Sequence, residues 1–201
     1  MKRAFLKFSF TALVFALIFS YNVSASQAVG ITVSAKAAVV MEASTGRVLY
    51  QKNAHDKMPM ASTTKIMTAL VAIENGNLSD TVTVSPNASG IEGSSIWLSP
   101  GESMTLSDLL FGLMLASGND AAIAIAEHVG GSVEAFVEMM NNKAREIGAY
   151  NTHFANPNGL PADDHYTTAY DLALTSAHAM RNNTCREIVK TQYKTLPWEG
   201  H

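Results

Sequence analysis

Ser62-Thr63-Thr64-Lys65 puts a hydroxyl and an amine three residues apart. On a helix that spacing places both side chains on one face, within reach of each other. A serine hydroxyl is a poor nucleophile until a base takes its proton, and a desolvated or cation-flanked lysine can be that base. A helix start adds to this, because its first N–H groups have no intrahelical acceptor and its dipole favours developing negative charge. The bare pattern is weak, since a helix cap followed by a surface lysine reads the same way. Its placement counts for more: it occurs once in the chain, at an expected helix start, after Met58-Pro59-Met60-Ala61.

Ser117-Gly118-Asn119 is the second cluster that could do chemistry. Ser-x-Asn also occurs at Ser20-Tyr21-Asn22 and Ser85-Pro86-Asn87, so the string alone decides nothing. Only the copy at 117 joins two apolar helices, where a tight loop can present Ser117 and Asn119 to a cleft. Asn119 can equally be a helix cap. The chemical role ranks above the cap because Ser62 and Lys65 exist.

The elements that must position these residues are strands first and helices afterwards. Runs 37–41 and 47–51 are strand-like and flank Glu42-Ala43-Ser44-Thr45-Gly46, which predicts a hairpin. Residues 62–73 hold good helix formers with no Gly or Pro. Run 80–84 is a short strand, followed by a Ser/Gly/Asn-rich loop to Ser95. Ser107 is expected to cap a helix to about Leu115, a further helix follows Asn119, and Ser132 opens one that ends before Gly148. Pro157-Asn158-Gly159 is a turn, Thr168 caps a helix to about Met180, and 192–196 is expected to begin a strand. The order implies an α+β fold, a helical cluster packed on a sheet that is left unfinished.

Lys2, Arg3 and Lys7, the apolar run from Phe8 to Phe19 and the small residues Val23-Ser24-Ala25 have the layout of a secretory signal peptide. The apolar run is shorter than the roughly 20 residues of a spanning helix. The expected layout is a signal peptide over 1–25, cut after Ala25 or after Ala28, a linker over 26–36 and a partial catalytic domain over 37–201, exported to the extracytoplasmic cell envelope. Cutting removes three positive charges and no negative ones, so the formal charge moves from −3 to −6. A mildly acidic chain gives no electrostatic reason to bind nucleic acid. The lone Cys185 cannot form an internal disulfide and reads as an inert thiol buried in a helix.

Taken together, Ser62-x-x-Lys65 and Ser117-Gly118-Asn119-Asp120-Ala121-Ala122 resemble the serine D-alanyl-D-alanine carboxypeptidases, the low-molecular-weight penicillin-binding proteins. So do Met41-Glu42-Ala43-Ser44-Thr45-Gly46, the stretch from Phe154 to Leu160, and His165-Tyr166-Thr167-Thr168-Ala169-Tyr170-Asp171. The resemblance runs from about Ala37 to the end. It implies the β-lactamase and penicillin-binding-protein fold, with an antiparallel sheet. It also implies that Ser62 attacks the carbonyl between two terminal D-alanines of a peptidoglycan stem peptide and that Lys65 accepts its proton. Ser117 would relay a proton towards the leaving nitrogen, and Asn119 would hold the Lys65 amine and the substrate amide. β-Lactam antibiotics would trap Ser62 as a slow ester. No cofactor or metal is implied, and none of the six histidines lies in a His-Glu-x-x-His pair; His165 is expected to be structural.

The sequence departs from the family in one respect. The third motif, Lys-Thr-Gly on a cleft strand, is absent, and Lys194-Thr195-Leu196 is a decoy because a leucine side chain would obstruct a substrate lying along the strand. The expectation is that the chain is cut short before that motif and lacks the C-terminal strands, one oxyanion donor and the segment through which the family attaches to the membrane surface. Lys65 is then expected to be solvated and protonated, and the chain a poor catalyst. Two other readings are a class A-like β-lactamase and a non-catalytic module that binds cell-wall peptide. Gly118 in place of an aspartate, with no glutamate from Ile147 to Arg186, argues against the first. Intact Ser62, Lys65 and Asn119 argue against the second.

Overall fold

Strands β1 (Ala38–Met41) and β2 (Val48–Lys52) pair antiparallel, Ala38 against Lys52 and Val40 against Tyr50, with a bulge between Val40 and Met41. The chain reverses where the Gly46 N–H donates to the Glu42 carbonyl and the Glu42 N–H to that of Arg47. The hairpin packs on helix α5 (Ala169–Ala179) and leaves Val40 and Leu49 more than half exposed on its other face. The computed structural model describes residues 30–197. The expected signal peptide, the start of the linker and the last four residues lie outside the described residues.

Helix α1 (Thr64–Asn75) is the axis of the helical cluster. It packs against α2 (Leu106–Leu115), α3 (Asn119–Gly130), α4 (Val133–Glu146), α5 and α6 (Asn183–Lys190). Its sequence explains this, since Met67, Ala69, Leu70, Val71 and Ala72 make it apolar on every side and all are buried. Truncating Leu70, which is fully enclosed, would remove about 2–5 kcal/mol by the usual cost of a core cavity. A rigid, central α1 is what allows Lys65 on its first turn to be held still.

A second small sheet pairs β3 (Thr81–Thr83) antiparallel with β4 (Ser103–Thr105), Val82 facing Met104. The sequence reading anticipated β3 and not β4, whose three residues are too few to show an alternation. This moves a helix boundary: α2 is capped by Thr105, whose Oγ1 accepts from the Asp108 N–H, and not by Ser107. Ser132 and Thr168 cap α4 and α5 as expected, each accepting from the N–H three residues on.

The C-terminal stretch departs from the reading. Residues 192–196 form no strand, and Lys194 instead pairs with Asp108 at 3.5 Å and lies over the Phe111 ring of α2. A lysine drawn to a carboxylate and an aromatic face outweighs the weak strand propensity of a short segment with no neighbouring strand to pair with. Helix α6 precedes it, the helix expected to hold Cys185, capped by Asn182, which accepts from the N–H groups of Thr184 and Cys185. Cys185 is buried there, and burial pushes its thiol pKa up, as expected of an inert thiol.

Candidate active site

Ser62 lies in a single 3-10 turn, Ala61–Thr63, that leads straight into α1. It is exposed, whereas Lys65 three residues on is 2% exposed. The Lys65 Nζ stands 3.4 Å from the Ser62 Oγ, 2.7 Å from the Asn119 Oδ1 and 2.6 Å from the Asn158 carbonyl oxygen. Two of these partners can only accept. When the ammonium loses one proton, the remaining two N–H bonds stay on Asn119 and Asn158 and the lone pair is left facing Ser62. A hydroxyl can reverse from acceptor to donor, so in this geometry a neutral lysine can take a proton from one oxygen, that of Ser62.

Burial also tunes the amine. Desolvation pulls the Lys65 pKa from 10.5 down to about 8, against an opposing pull from the Asp120 carboxylate. At pH 7 about one molecule in ten then carries the neutral amine, against roughly one in 2,500 for a free lysine. The expectation of a solvated Lys65 is therefore corrected, while at pH 7 most molecules still carry the ammonium. The walls of α3 and of the 156–160 turn exclude water from this amine without any Lys-Thr-Gly strand.

The other wall comes from Asn119. It is the first residue of α3, and the capping position falls on Gly118, which has no side chain to cap with. Asn119 therefore does not cap; its carboxamide bridges instead. Its Oδ1 accepts from Lys65 and its Nδ2 donates to the Glu92 carbonyl at 2.6 Å. Lysine only donates and a carbonyl only accepts, so the amide can point only one way. The loop that supplies Glu92 is held in turn by buried Asp120, which accepts from Ser95 Oγ and from the Ile96, Leu98 and Ala121 N–H groups.

Ser117 is held differently. It has φ +58 and its buried Oγ has no hydrogen-bond partner among the described residues. A left-handed non-glycine backbone and an unsatisfied buried hydroxyl each cost on the order of 1 kcal/mol or more. Such costs gather at functional positions. Ser117 makes no hydrogen bond to Ser62 or Lys65, so the structure unites Ser62, Lys65 and Asn119 in one network and leaves the Ser117 hydroxyl out of it.

Two participants escaped the sequence reading, the carbonyls of Asn158 and Glu92, because a backbone oxygen leaves no residue-type signal. The turn that aims Asn158 is legible, however. Gly159 N–H donates to Asn156 Oδ1, Leu160 N–H to Asn158 Oδ1, and Thr68 Oγ1 on α1 donates to the Pro157 carbonyl. Asn-Pro-Asn-Gly supplies the side chains and the backbone freedom for that turn.

A buried lysine bonded to an asparagine and poised on an exposed serine is what the resemblance implies, and the comparisons decide the family. Residues 22–199 match the D-alanyl-D-alanine carboxypeptidase family, peptidase S11. The chain belongs to that family. Among its relatives in this D-alanyl-D-alanine carboxypeptidase family is DacF of Bacillus subtilis, 44% identical over 162 residues that cover 78% of this chain and 42% of the relative. DacC of Escherichia coli is 40% identical over 154 residues, covering 71% and 38%. The fold matches the crystal structure of a D-alanyl-D-alanine carboxypeptidase from Mycobacterium tuberculosis with a TM-score of 0.83 at 33% identity, over 87% of this chain and 67% of that one. It matches DacD from Francisella tularensis at 0.73 and 41%, over 76% and 38%. The chain thus spans about 40% of the length of these two curated relatives. The α+β architecture of the penicillin-binding DD-peptidases is the fold of this protein.

Proposed function

We propose that this protein contributes the nucleophile half of a serine D-alanyl-D-alanine carboxypeptidase that trims peptidoglycan stem peptides outside the cytoplasm. The observation that carries the reading is the Lys65 amine, desolvated, shifted to about 8 and held 3.4 Å from Ser62 Oγ. Ser62 Oγ attacks the carbonyl of the penultimate D-alanine while its proton passes to Lys65. The tetrahedral intermediate collapses, the C–N bond breaks, the leaving nitrogen takes a proton by way of Ser117, and D-alanine departs. Water then hydrolyses the Ser62 ester. Asn119 holds the amine throughout and offers an N–H to the substrate amide. β-Lactams acylate the same oxygen and leave slowly. The domain over 37–201 acts with the signal peptide removed.

The test is to incubate the longest natural product of the gene with a labelled penicillin and map the adduct by mass spectrometry. The label is expected on the peptide holding Ser62 and is lost in Ser62→Ala. A label on Ser117 overturns the assignment of roles.

Ser117 gives a second expectation, of opposite sign in its two readouts. Ser117→Gly removes a left-handed residue and an unpaired hydroxyl together, so the protein gains about 1–2 kcal/mol of stability. The same change removes the relay, so D-alanine release falls. Denaturant melts and a D-alanine assay on the pair of proteins check both; a variant that is less stable and fully active removes Ser117 from the site.

A further inference from the structure

The backbone at Ala61 has φ +47, in the left-handed region, immediately before Ser62. A β-carbon makes that conformation unfavourable, so something must hold it. The Ala61 carbonyl accepts a hydrogen bond from Thr64 Oγ1 at 2.7 Å, and Thr64 Oγ1 lies 2.7 Å from His165 Nε2. The far side of the same ring, Nδ1, stands 3.0 Å from the Ala155 N–H. A backbone N–H only donates, so Nδ1 must be the bare nitrogen and Nε2 must carry the proton. Every proton in the line is thereby assigned: Ala155 N–H to Nδ1, Nε2–H to Thr64, Thr64 O–H to the Ala61 carbonyl. Thr64 is fully buried and His165 is 4% exposed, so water does not compete for these bonds.

From this geometry we infer that His165 is a positioning residue for Ser62, a neutral imidazole that clamps the strained Ala61 carbonyl through Thr64 and ties it to the 155–159 turn that aims Asn158 at Lys65. The serine at the head of α1 and the turn that carries the Asn158 carbonyl are then tied through this ring as well as through Thr68 and Lys65. An imidazolium cannot do this. It has no acceptor for the Ala155 N–H, so protonation breaks the tie between the ring and that turn, although Nε2–H still reaches Thr64.

The direction with pH follows. Burial holds the imidazole pKa below the usual histidine value, with Asp164 pulling upward and His153 downward. On α1 the charged residue next to Thr64 is Lys65, which already sits in its own bonds to Asn119 and Asn158. The folded value is lowered, so the clamp is fully present above the free-histidine range and is lost as pH falls through the folded value. Acid therefore removes the clamp as well as the neutral Lys65.

The inference rests on the serine-lysine reading for its kinetic consequence and not for its structural one, and the experiment separates the two. In uniformly 15N-labelled protein at pH 7, the His165 ring is expected as the Nε2–H tautomer, with the Ser62 amide resonance moving as His165 titrates. An Nδ1–H tautomer, or a Ser62 amide that ignores the titration, overturns the clamp whatever the activity. Penicillin acylation supplies the kinetic half. Around and just below the folded pKa of His165 the logarithm of the rate should fall more steeply than the one unit per pH unit that Lys65 alone gives. His165→Gln keeps an acceptor and a donor and should fall one unit per pH unit throughout, with a rate near that of the unmodified protein at pH 8. His165→Phe, which keeps the ring volume and loses both bonds, should acylate at least tenfold more slowly at pH 8 with unchanged initial penicillin binding. Equal rates in the phenylalanine variant, or the same acid slope in the glutamine variant, overturn the inference. If Ser62 takes no penicillin while the tautomer and the amide behave as stated, the clamp stands and the carboxypeptidase reading falls.

Discussion

Lys65→Ala is expected to slow penicillin acylation of Ser62 by roughly 10²–10⁴-fold, the usual worth of a positioned base. The pH profile distinguishes this from a packing defect. With Lys65 present, the acylation rate should climb about tenfold per pH unit approaching pH 8 and level off above it, because deprotonation of an amine held at about 8 creates the active form. With alanine the profile should lose that inflection. The substitution also strands the Asn119 carboxamide oxygen and the Asn158 carbonyl, both buried, so some stability is lost as well. A methionine at 65, which refills the volume, should regain part of the stability and none of the rate. An alanine variant that still rises with pH to an inflection near 8 would place the base elsewhere.

The sequence made the chemistry legible where it resides in side-chain types at helical spacing. Ser62 and Lys65 meet because three residues on a helical turn share a face, and that holds even though Ser62 sits in the 3-10 turn just before α1. Asn119 reads in the sequence as a helix cap or as a chemical residue; the cap position falls on Gly118, and the Asn119 side chain joins Lys65 to the Glu92 carbonyl. What the spacing could not carry is the dielectric around Lys65. The amine is desolvated by pieces brought from 54 and 93 residues away, and local pattern has no information about such closure. The same limit explains β4, too short to alternate, and 192–196, whose strand-like residues were claimed by Asp108 and Phe111 on α2. His165 was read as structural. In the structure it is buried, bonded to Ala155 and Thr64, and one link from the carbonyl of Ala61, the residue before Ser62.

Gly159→Ala is expected to be the most damaging single substitution per atom added. A β-carbon there would lie 2.1 Å from the Ala61 carbonyl oxygen and 2.5 Å from the Ala61 carbonyl carbon, both backbone atoms that cannot swing aside. Gly159 also has φ +89, which a side chain makes strained on its own account. The collision falls on the carbonyl that Thr64 holds at the start of the Ser62 turn, and on the turn whose Asn158 oxygen accepts from Lys65. Either Ala61 or the turn must retreat, so Ser62 and Lys65 separate and acylation falls. A displacement of about 1 Å in such a pair is enough for a loss on the order of 10²-fold. Gly131→Ala is the control, since Gly131 has φ +77 and nothing within 4 Å of its would-be β-carbon. It should cost about 1–2 kcal/mol of stability from backbone strain alone and leave the acylation rate as it was. Acylation rates and denaturant melts of the two variants, measured side by side, decide the matter. If Gly159→Ala loses no more rate than Gly131→Ala, the close approach of the 156–160 turn to Ala61 has no part in holding the serine.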